Sequence, residues 1–359
     1  MGKDVYCRME QRGNESRIRQ VLPALSSRIC AVLSGLDSNL TADITEIRLR
    51  CGQPVVCTTA DGPVFLPLTG GICRLPRPGL LYAEREDLEE TFRRICEYSV
   101  YTHEEEVSQG FVTLRGGHRA GICGRAVIEG GQVRSIQEIC AVNIRIAREV
   151  KDAAAPLLQG MQAAGGLRVL REGLLLAGPP GSGKTTLLRD LVRRLSSGAL
   201  GTPLRITVVD ERGEIGAVWE GIPQNDLGLC TDILTGCPKA LGIQMAVRSM
   251  SPEIVAFDEL GTREEAEAVS RCLHAGAAAL ATIHADSPGA LARRPQALQL
   301  FRSGAVNWVA FLPGVGQAPL FLSKEDIYAE MAGTAGFGRS GGGHRAVLLR
   351  PAAHAHRTA

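Results

Sequence analysis

The sequence predicts an α/β chain of two domains, a buried parallel sheet in the C-terminal part preceded by a smaller α+β domain. Three observations predict this. After Lys151, short apolar runs alternate with helical stretches, as βαβ units do. One of those strand-to-helix junctions is a glycine-rich loop. Before Lys151, inward and outward residues alternate and the chain turns at glycine pairs, the pattern of an antiparallel sheet. The 359 residues suit two domains of about 150 each with an appendage. Hydrophobic residues at 45% supply cores and exclude a disordered or collagen-like chain.

From Ile18 to Leu36 apolar residues recur every three or four positions, which predicts an amphipathic helix. Ile47 and Leu49 alternate with Glu46, Arg48 and Arg50 as a half-buried strand, and Gly52-Gln53-Pro54 turns into Val55 to Cys57. Leu88, Phe92 and Ile95 mark a second helix. Phe111 to Leu114 and Ala120 to Cys123 flank Gly116-Gly117 as a hairpin, with a further turn at Gly130-Gly131 and an alternating strand at Val142 to Ile146. These elements assign residues 1–150 to the α+β domain. A helix from Asp152 to Ala164 then leads into strands at Leu174 to Ala177, Arg205 to Val209, Ile254 to Phe257 and Ala278 to Ile283, which assign 151–332 to the parallel-sheet domain. The uncharged run Ser303 to Ser323 is broken by Pro313, Gly314, Gly316 and Pro319, so it is expected to form strand, turn and strand rather than a membrane span. Residues 333–359 carry no acidic side chain and are expected to be a disordered tail.

The loop is Gly178-Pro179-Pro180-Gly181-Ser182-Gly183-Lys184-Thr185-Thr186, a full match to G-x-x-x-x-G-K-[ST]. Its glycines let main-chain N–H groups converge on phosphate oxygens, and the helix that follows adds its dipole. Only five of the 40 basic residues are lysine, so a lysine placed where chemistry could use it is informative. Lys184 would reach the β- and γ-phosphates, and Thr185 would ligate magnesium.

A nucleotide hydrolase also needs carboxylates beside the phosphates. Ile254-Val255-Ala256-Phe257-Asp258-Glu259 supplies them at the carboxyl edge of an apolar strand, where ligands sit in open α/β sheets. Asp258 would hold magnesium through water, and Glu259 would polarise the attacking water. The strand ending in Asp210-Glu211-Arg212-Gly213-Glu214 brings a second cluster. Glu211 or Glu214 could share the general-base task, or pair with Arg212 or Arg248. His284, again at a strand end, suits a γ-phosphate sensor or a coupler between subunits. There is no NKxD, no LSGGQ-like segment and no HRD or DFG set. What remains is a RecA-like P-loop ATPase that uses ATP and Mg2+.

The net charge of +2 and the 4% aromatic content argue against a nucleic-acid-dependent RecA-like ATPase, the alternative, because single-strand grooves need basic tracks and stacking platforms. Eleven scattered cysteines without a CxxC pair support neither zinc nor a disulfide framework; most are expected to pack as small hydrophobes in a reducing cytoplasm.

The order of P-loop, acidic box, carboxylate strand and the histidine box Ala281-Thr282-Ile283-His284-Ala285 resembles the type II and type IV secretion ATPase superfamily, and more closely its sporulation branch in endospore-forming bacteria. The likeness extends over about residues 15–330 and includes Glu46 to Arg50, Gln109 to Arg119, Asn143 to Glu149, Gly221 to Asp226 and Arg248 to Glu253. It implies a ring, a homo-hexamer, whose N-terminal domain folds over the nucleotide. It also implies integral-membrane partners in a secretion-like complex between mother cell and forespore, with the chain cytoplasmic and held at the membrane by those partners. By position, Glu214 matches the acidic-box glutamate, Glu259 the Walker B glutamate and His284 the histidine box. Arg145, Arg148 and Arg248 match candidate phosphate-sensing arginines; for Arg145 and Arg148 a solvated strand edge is the alternative.

Overall fold

In a computed structural model of the chain, residues 17–331 are described apart from 149, 316 and 318, together with 347–348. The expected tail from 333 onward lies, except for 347–348, outside the described residues. The chain divides into two compact units, Met1–Arg148 with Trp219–Gln224, and Glu149–Val218 with Asn225–Ala359. The boundary expected at 150 falls at Arg148, but the hexapeptide Trp219–Gln224 departs from the two-segment division because it packs with the first unit.

The first unit holds a six-stranded antiparallel sheet. Its strands are β1 (Glu46–Arg50), β2 (Val56–Thr59), β3 (Gly62–Phe65), β4 (Phe111–Leu114), β5 (His118–Glu129) and β6 (Gln132–Arg145), in the spatial order β3-β2-β1-β6-β5-β4. Alternation decides the faces: Ile47, Leu49, Ile122, Val142 and Ile144 are buried, whereas Arg48 and Arg50 are exposed. Helices α1 (Ser27–Ser34) and α2 (Arg85–Ile95) contribute Ile29, Leu33, Leu88 and Ile95 to the same core. The single helix expected from Ile18 to Leu36 is broken. Pro23 lacks an N–H and opens a 3-10 turn at Leu22–Ala24, and Ser26 then caps α1 by accepting from the Ile29 amide. His118 is fully buried; its Nδ1 accepts from the Ala147 amide at 3.0 Å, and burial pushes its pKa down to about 4.

The hexapeptide is anchored within this unit. The Trp219 ring stacks on His103 with centroids 6.4 Å apart, and the Gly116 amide donates to Gln224 Oε1 at 3.2 Å.

The second unit is built on an eight-stranded sheet. It comprises β7 (Leu174–Gly178), β8 (Ile206–Asp210), β9 (Thr231–Thr235), β10 (Ile254–Phe257), β11 (Ala278–His284), β12 (Trp308–Phe311), β13 (Leu320–Ser323) and β14 (Val347–Leu348). Their order is β9-β8-β10-β11-β7-β12-β13-β14, parallel from β9 to β12 and antiparallel beyond. β7, β8, β10, β11 and β12 are buried on both faces, which is why they read as apolar runs, whereas the edge strand β9 is partly exposed. Leu175 and Ala177 enter one core, and Leu174 and Leu176 enter the other. The uncharged Ser303 to Ser323 run forms β12, a turn and β13, as expected. Among the described residues no helix is long and apolar enough to cross a membrane.

The expectation that most cysteines pack inside is corrected. Of those described, Cys57, Cys96 and Cys272 are buried, whereas Cys51, Cys123, Cys140 and Cys230 are exposed. Cys123 is exposed because it pairs with Ala141, next to inward-facing Ile122 and Val142, so the pleat turns it outward.

Candidate active site

The glycine-rich loop joins β7 to α3 (Lys184–Ser196). Gly181 and Gly183 have φ of 73° and 91°, which a side chain would resist, and a Cβ at Gly178 would meet the Leu312 carbonyl oxygen at 2.4 Å. Pro179 and Pro180 shape the turn, and Thr185 and Thr186 open α3. Lys184 is buried, and Nζ donates to the carbonyls of Gly178 at 3.0 Å and Pro179 at 2.8 Å. Burial lowers its pKa from the ordinary lysine value, while the charges of Asp258 and Glu259 oppose that shift. Ser182 Oγ is buried in this loop without a hydrogen-bond partner. A buried hydroxyl left unpaired in a cradle of glycines fits a ligand rich in acceptor oxygens.

Strand order arranges what faces the loop. The sequence β8-β10-β11-β7 places four strand ends side by side, and their side chains form a row in the same order. Arg212, after β8, pairs with Glu259 Oε2. Glu259, after β10, faces His284 Nε2 through Oε1 at 3.5 Å. His284, the last residue of β11, faces Lys184 Nζ through Nδ1 at 3.1 Å. An ammonium only donates, so His284 Nδ1 is the acceptor of that contact, while Nε2 is the ring nitrogen nearer Glu259.

Asp258 accepts from Thr185 Oγ1 at 2.6 Å through Oδ2 and from Thr282 Oγ1 through Oδ1. Thr185 and Asp258 are the pair that could hold a hydrated divalent cation bound to phosphate. Among the described residues no group of three or more His, Cys, Asp or Glu could hold a metal ion. Glu259 sits at φ 59°, a left-handed conformation that costs a residue with a Cβ about 1–2 kcal/mol. Backbone strain of this kind clusters at functional sites.

Asp210 is used differently. It is buried, and its carboxylate accepts from the amides of Glu214 at 2.9 Å, Ile215 at 3.1 Å and Gly216 at 2.8 Å. Burial raises its pKa against those hydrogen bonds, and Asp258's charge adds to the rise. Asp210 therefore closes the loop that carries Glu211 and Glu214. Both glutamates line a small cleft with Asp258 and Glu259, so all three base candidates border one space. Glu211 faces Lys239 at 3.8 Å, and Arg189 holds the Glu214 carbonyl at 2.7 Å. Arg212 takes Glu259, not Glu211 or Glu214, as its carboxylate partner.

Of the three arginines, Arg248 shares the unit of this row and is not brought to it. Arg248 is in the last turn of α4 (Lys239–Ser249), a helix whose first residue lies at the site. At 1.5 Å per residue it is about 14 Å away along the axis. Arg145 and Arg148 belong to the first unit, where Arg148 donates to the Ala42 carbonyl at 2.9 Å and Arg145 is exposed on β6. Lys239 and Asp210 are the site residues not singled out from sequence. For Lys239 the signal was its rarity as a lysine; for Asp210 it was the Asp-Glu dipeptide shared with Asp258-Glu259.

The family described as "Sporulation stage III, protein AA" matches residues 15–319. The chain belongs to that family. It is 38% identical over 293 residues to stage III sporulation protein AA of Bacillus subtilis (strain 168), covering 81% of this chain and 89% of that protein. It is also 29% identical over 136 residues to the ycf45 protein of Cyanidium caldarium, covering 35% of this chain and 37% of that one. Among solved structures, that of the pilus retraction motor PilT with bound ADP superposes with a TM-score of 0.50 at 16% identity, covering 81% of this chain and 82% of that one. This sporulation-family chain thus shares a RecA-like P-loop fold with the pilus retraction motor PilT.

Proposed function

We propose that the chain is an ATP-hydrolysing motor. The row Arg212–Glu259–His284–Lys184 carries the proposal, because it joins the phosphate-binding lysine to a carboxylate through one histidine. In this proposal the loop from Gly178 to Thr185 binds the phosphates. Lys184 neutralises charge on the β- and γ-phosphates. Thr185 and Asp258 hold Mg2+, which when bound would offset charge on the phosphate oxygens. Glu259 orients and polarises the attacking water, and His284 senses the occupied site through Lys184. Glu211 and Glu214 line the same cleft and tune the field at Glu259.

The motor would act as a homo-hexameric ring. Arg145, Arg148 and Arg248 would reach phosphate only when domains or neighbouring subunits close, the usual way an arginine is delivered to transition-state charge. Its partners would be integral-membrane subunits of a sporulation channel complex between mother cell and forespore, and the chain would be cytoplasmic and held at the membrane through them. The test is nucleotide binding and steady-state ATP hydrolysis by the wild type and by Lys184→Ala, with sizing in ATP. Binding and turnover lost together in the variant, with a ring-sized wild type, are expected. Equal turnover in both proteins would overturn the hydrolytic assignment, a strict monomer in ATP would overturn the ring, and turnover dependent on added single-stranded DNA or RNA would favour a nucleic-acid motor.

A further inference from the structure

Glu259 must hold its carboxylate in place on a backbone conformation that side chains resist, and the surrounding contacts show how it does so. Its amide donates to Thr282 Oγ1 at 2.8 Å, and the next amide, of Leu260, donates to the Thr282 carbonyl at 2.8 Å. Those bonds secure one side of the turn. The other side is held by one side chain, Lys239, whose Nζ donates to the carbonyls of Glu259 and of Asp258, the latter at 3.3 Å.

Lys239 is only 8% exposed, and its charge is balanced by two glutamates. Glu265 lies 3.4 Å away, and its other oxygen accepts from the amides of Gly261 at 2.8 Å and Thr262 at 3.2 Å, where the next helix begins. Glu211 lies 3.8 Å away. The ammonium therefore gathers the turn's carbonyls, the following helix start and the acidic-box loop around one point. The fold delivers it there by close packing. A Cβ at Gly242, three residues further along α4, would come within 2.6 Å of Val209, so only glycine lets this helix lie so near β8.

We propose that Lys239 is a positioning residue for hydrolysis: it clamps the main chain of Glu259 in its left-handed turn, and so aims the carboxylate without touching nucleotide. This rests on the ATPase function proposed above. A clamp differs from a phosphate contact in what its loss removes. Without the clamp the glutamate loses its aim, while the phosphate loop is unchanged.

The test compares Lys239→Met and Lys239→Arg with the wild type by hydrogen–deuterium exchange of peptides spanning 257–262, by affinity for AMP-PNP and by ATP turnover. In Lys239→Met, exchange in that segment should quicken by at least about tenfold, AMP-PNP affinity should stay within about threefold and kcat should fall at least about thirtyfold. Lys239→Arg, which keeps a buried cation, should recover most of the protection and turnover. Unchanged exchange in Lys239→Met overturns the clamp, and affinity falling in step with kcat overturns it in favour of a direct phosphate contact. If Lys239→Met does not fold, Lys239→Gln is read the same way for a smaller split, with the same two overturning results. The exchange measurement needs no turnover. A wild type that hydrolyses no ATP would defeat the proposed function, while exchange would still decide the clamp.

Discussion

Two strands of the second unit run out at the same dipeptide: β8 ends at Asp210, which Glu211 follows, and β10 ends at Phe257, which Asp258-Glu259 follows. They are neighbours in parallel register, with Val209 beside Phe257, so the two Asp-Glu pairs leave the sheet at the same level. Their fates differ. Asp210 turns inward and spends its carboxylate on three amides of its own loop. Asp258 faces two hydroxyls from other elements, Thr185 of the phosphate loop and Thr282 of β11. The residue types are identical, so the difference comes from position in the sheet. β10 is next to β11, which borders β7, whereas β8 is one strand further from the phosphate loop. Under the proposed function, an acidic strand end can act on phosphate only where the strand order brings it to that loop.

The comparison can be broken most directly at the glutamates. Glu259→Gln should keep nucleotide affinity and lower kcat by about a hundredfold or more, whereas Glu211→Gln should lower kcat less than about tenfold. Steady-state kinetics with a binding isotherm for each variant checks this, and equal losses would show that the two strand ends share the base role. Asp258→Asn against Asp210→Asn sharpens it next. The first should raise the Mg2+ concentration needed for half-maximal turnover by roughly tenfold with little change in melting temperature. The second should destabilise the protein by about 1–3 kcal/mol, because an amide can no longer accept from all three loop N–H groups. A magnesium titration and thermal denaturation separate the two.

His284→Gln should have a smaller effect, a several-fold loss of kcat with AMP-PNP affinity within about threefold, measured by the same assays. A loss as large as that of Glu259→Gln would make the histidine a base in its own right. The smallest expected effect is in pH dependence. Burial raises the pKa of Asp210 above its unfolded value, so the folded state keeps its proton to higher pH. The stability tied to that proton is present below the unfolded pKa and lost as pH rises through the folded one. The deficit of Asp210→Asn relative to the wild type should therefore shrink as pH rises from the acid side, as followed by melting temperature against pH.

Much of the site was legible because its motifs are contiguous. Gly178 to Thr185, Asp258-Glu259 and His284 each sit at the end of an apolar run, and such runs are read without knowing any partner. The strand assignments held for the same reason, since burial on both faces leaves a continuous apolar signature. Lys239 was legible only as one of five lysines, because its role consists of contacts to main-chain carbonyls that no side-chain pattern encodes. The roles of Asp210 and Arg212 depended on loop closure and strand order. The long first helix failed at Pro23, where a local backbone constraint outweighed a correct apolar periodicity.

The hexapeptide Trp219–Gln224 bears on how the protein can be taken apart. Because it belongs with Met1–Arg148 but is flanked on both sides by residues of the other unit, the chain crosses between the two units three times. A single protease cut after Arg148 would leave those six residues covalently attached to the second unit. A fragment ending at Arg148 would lack the indole that covers His103 and the Gln224 acceptor for the Gly116 amide. The first unit is therefore complete only as part of the whole chain, and inheritance of one half without the other would leave its surface unfinished.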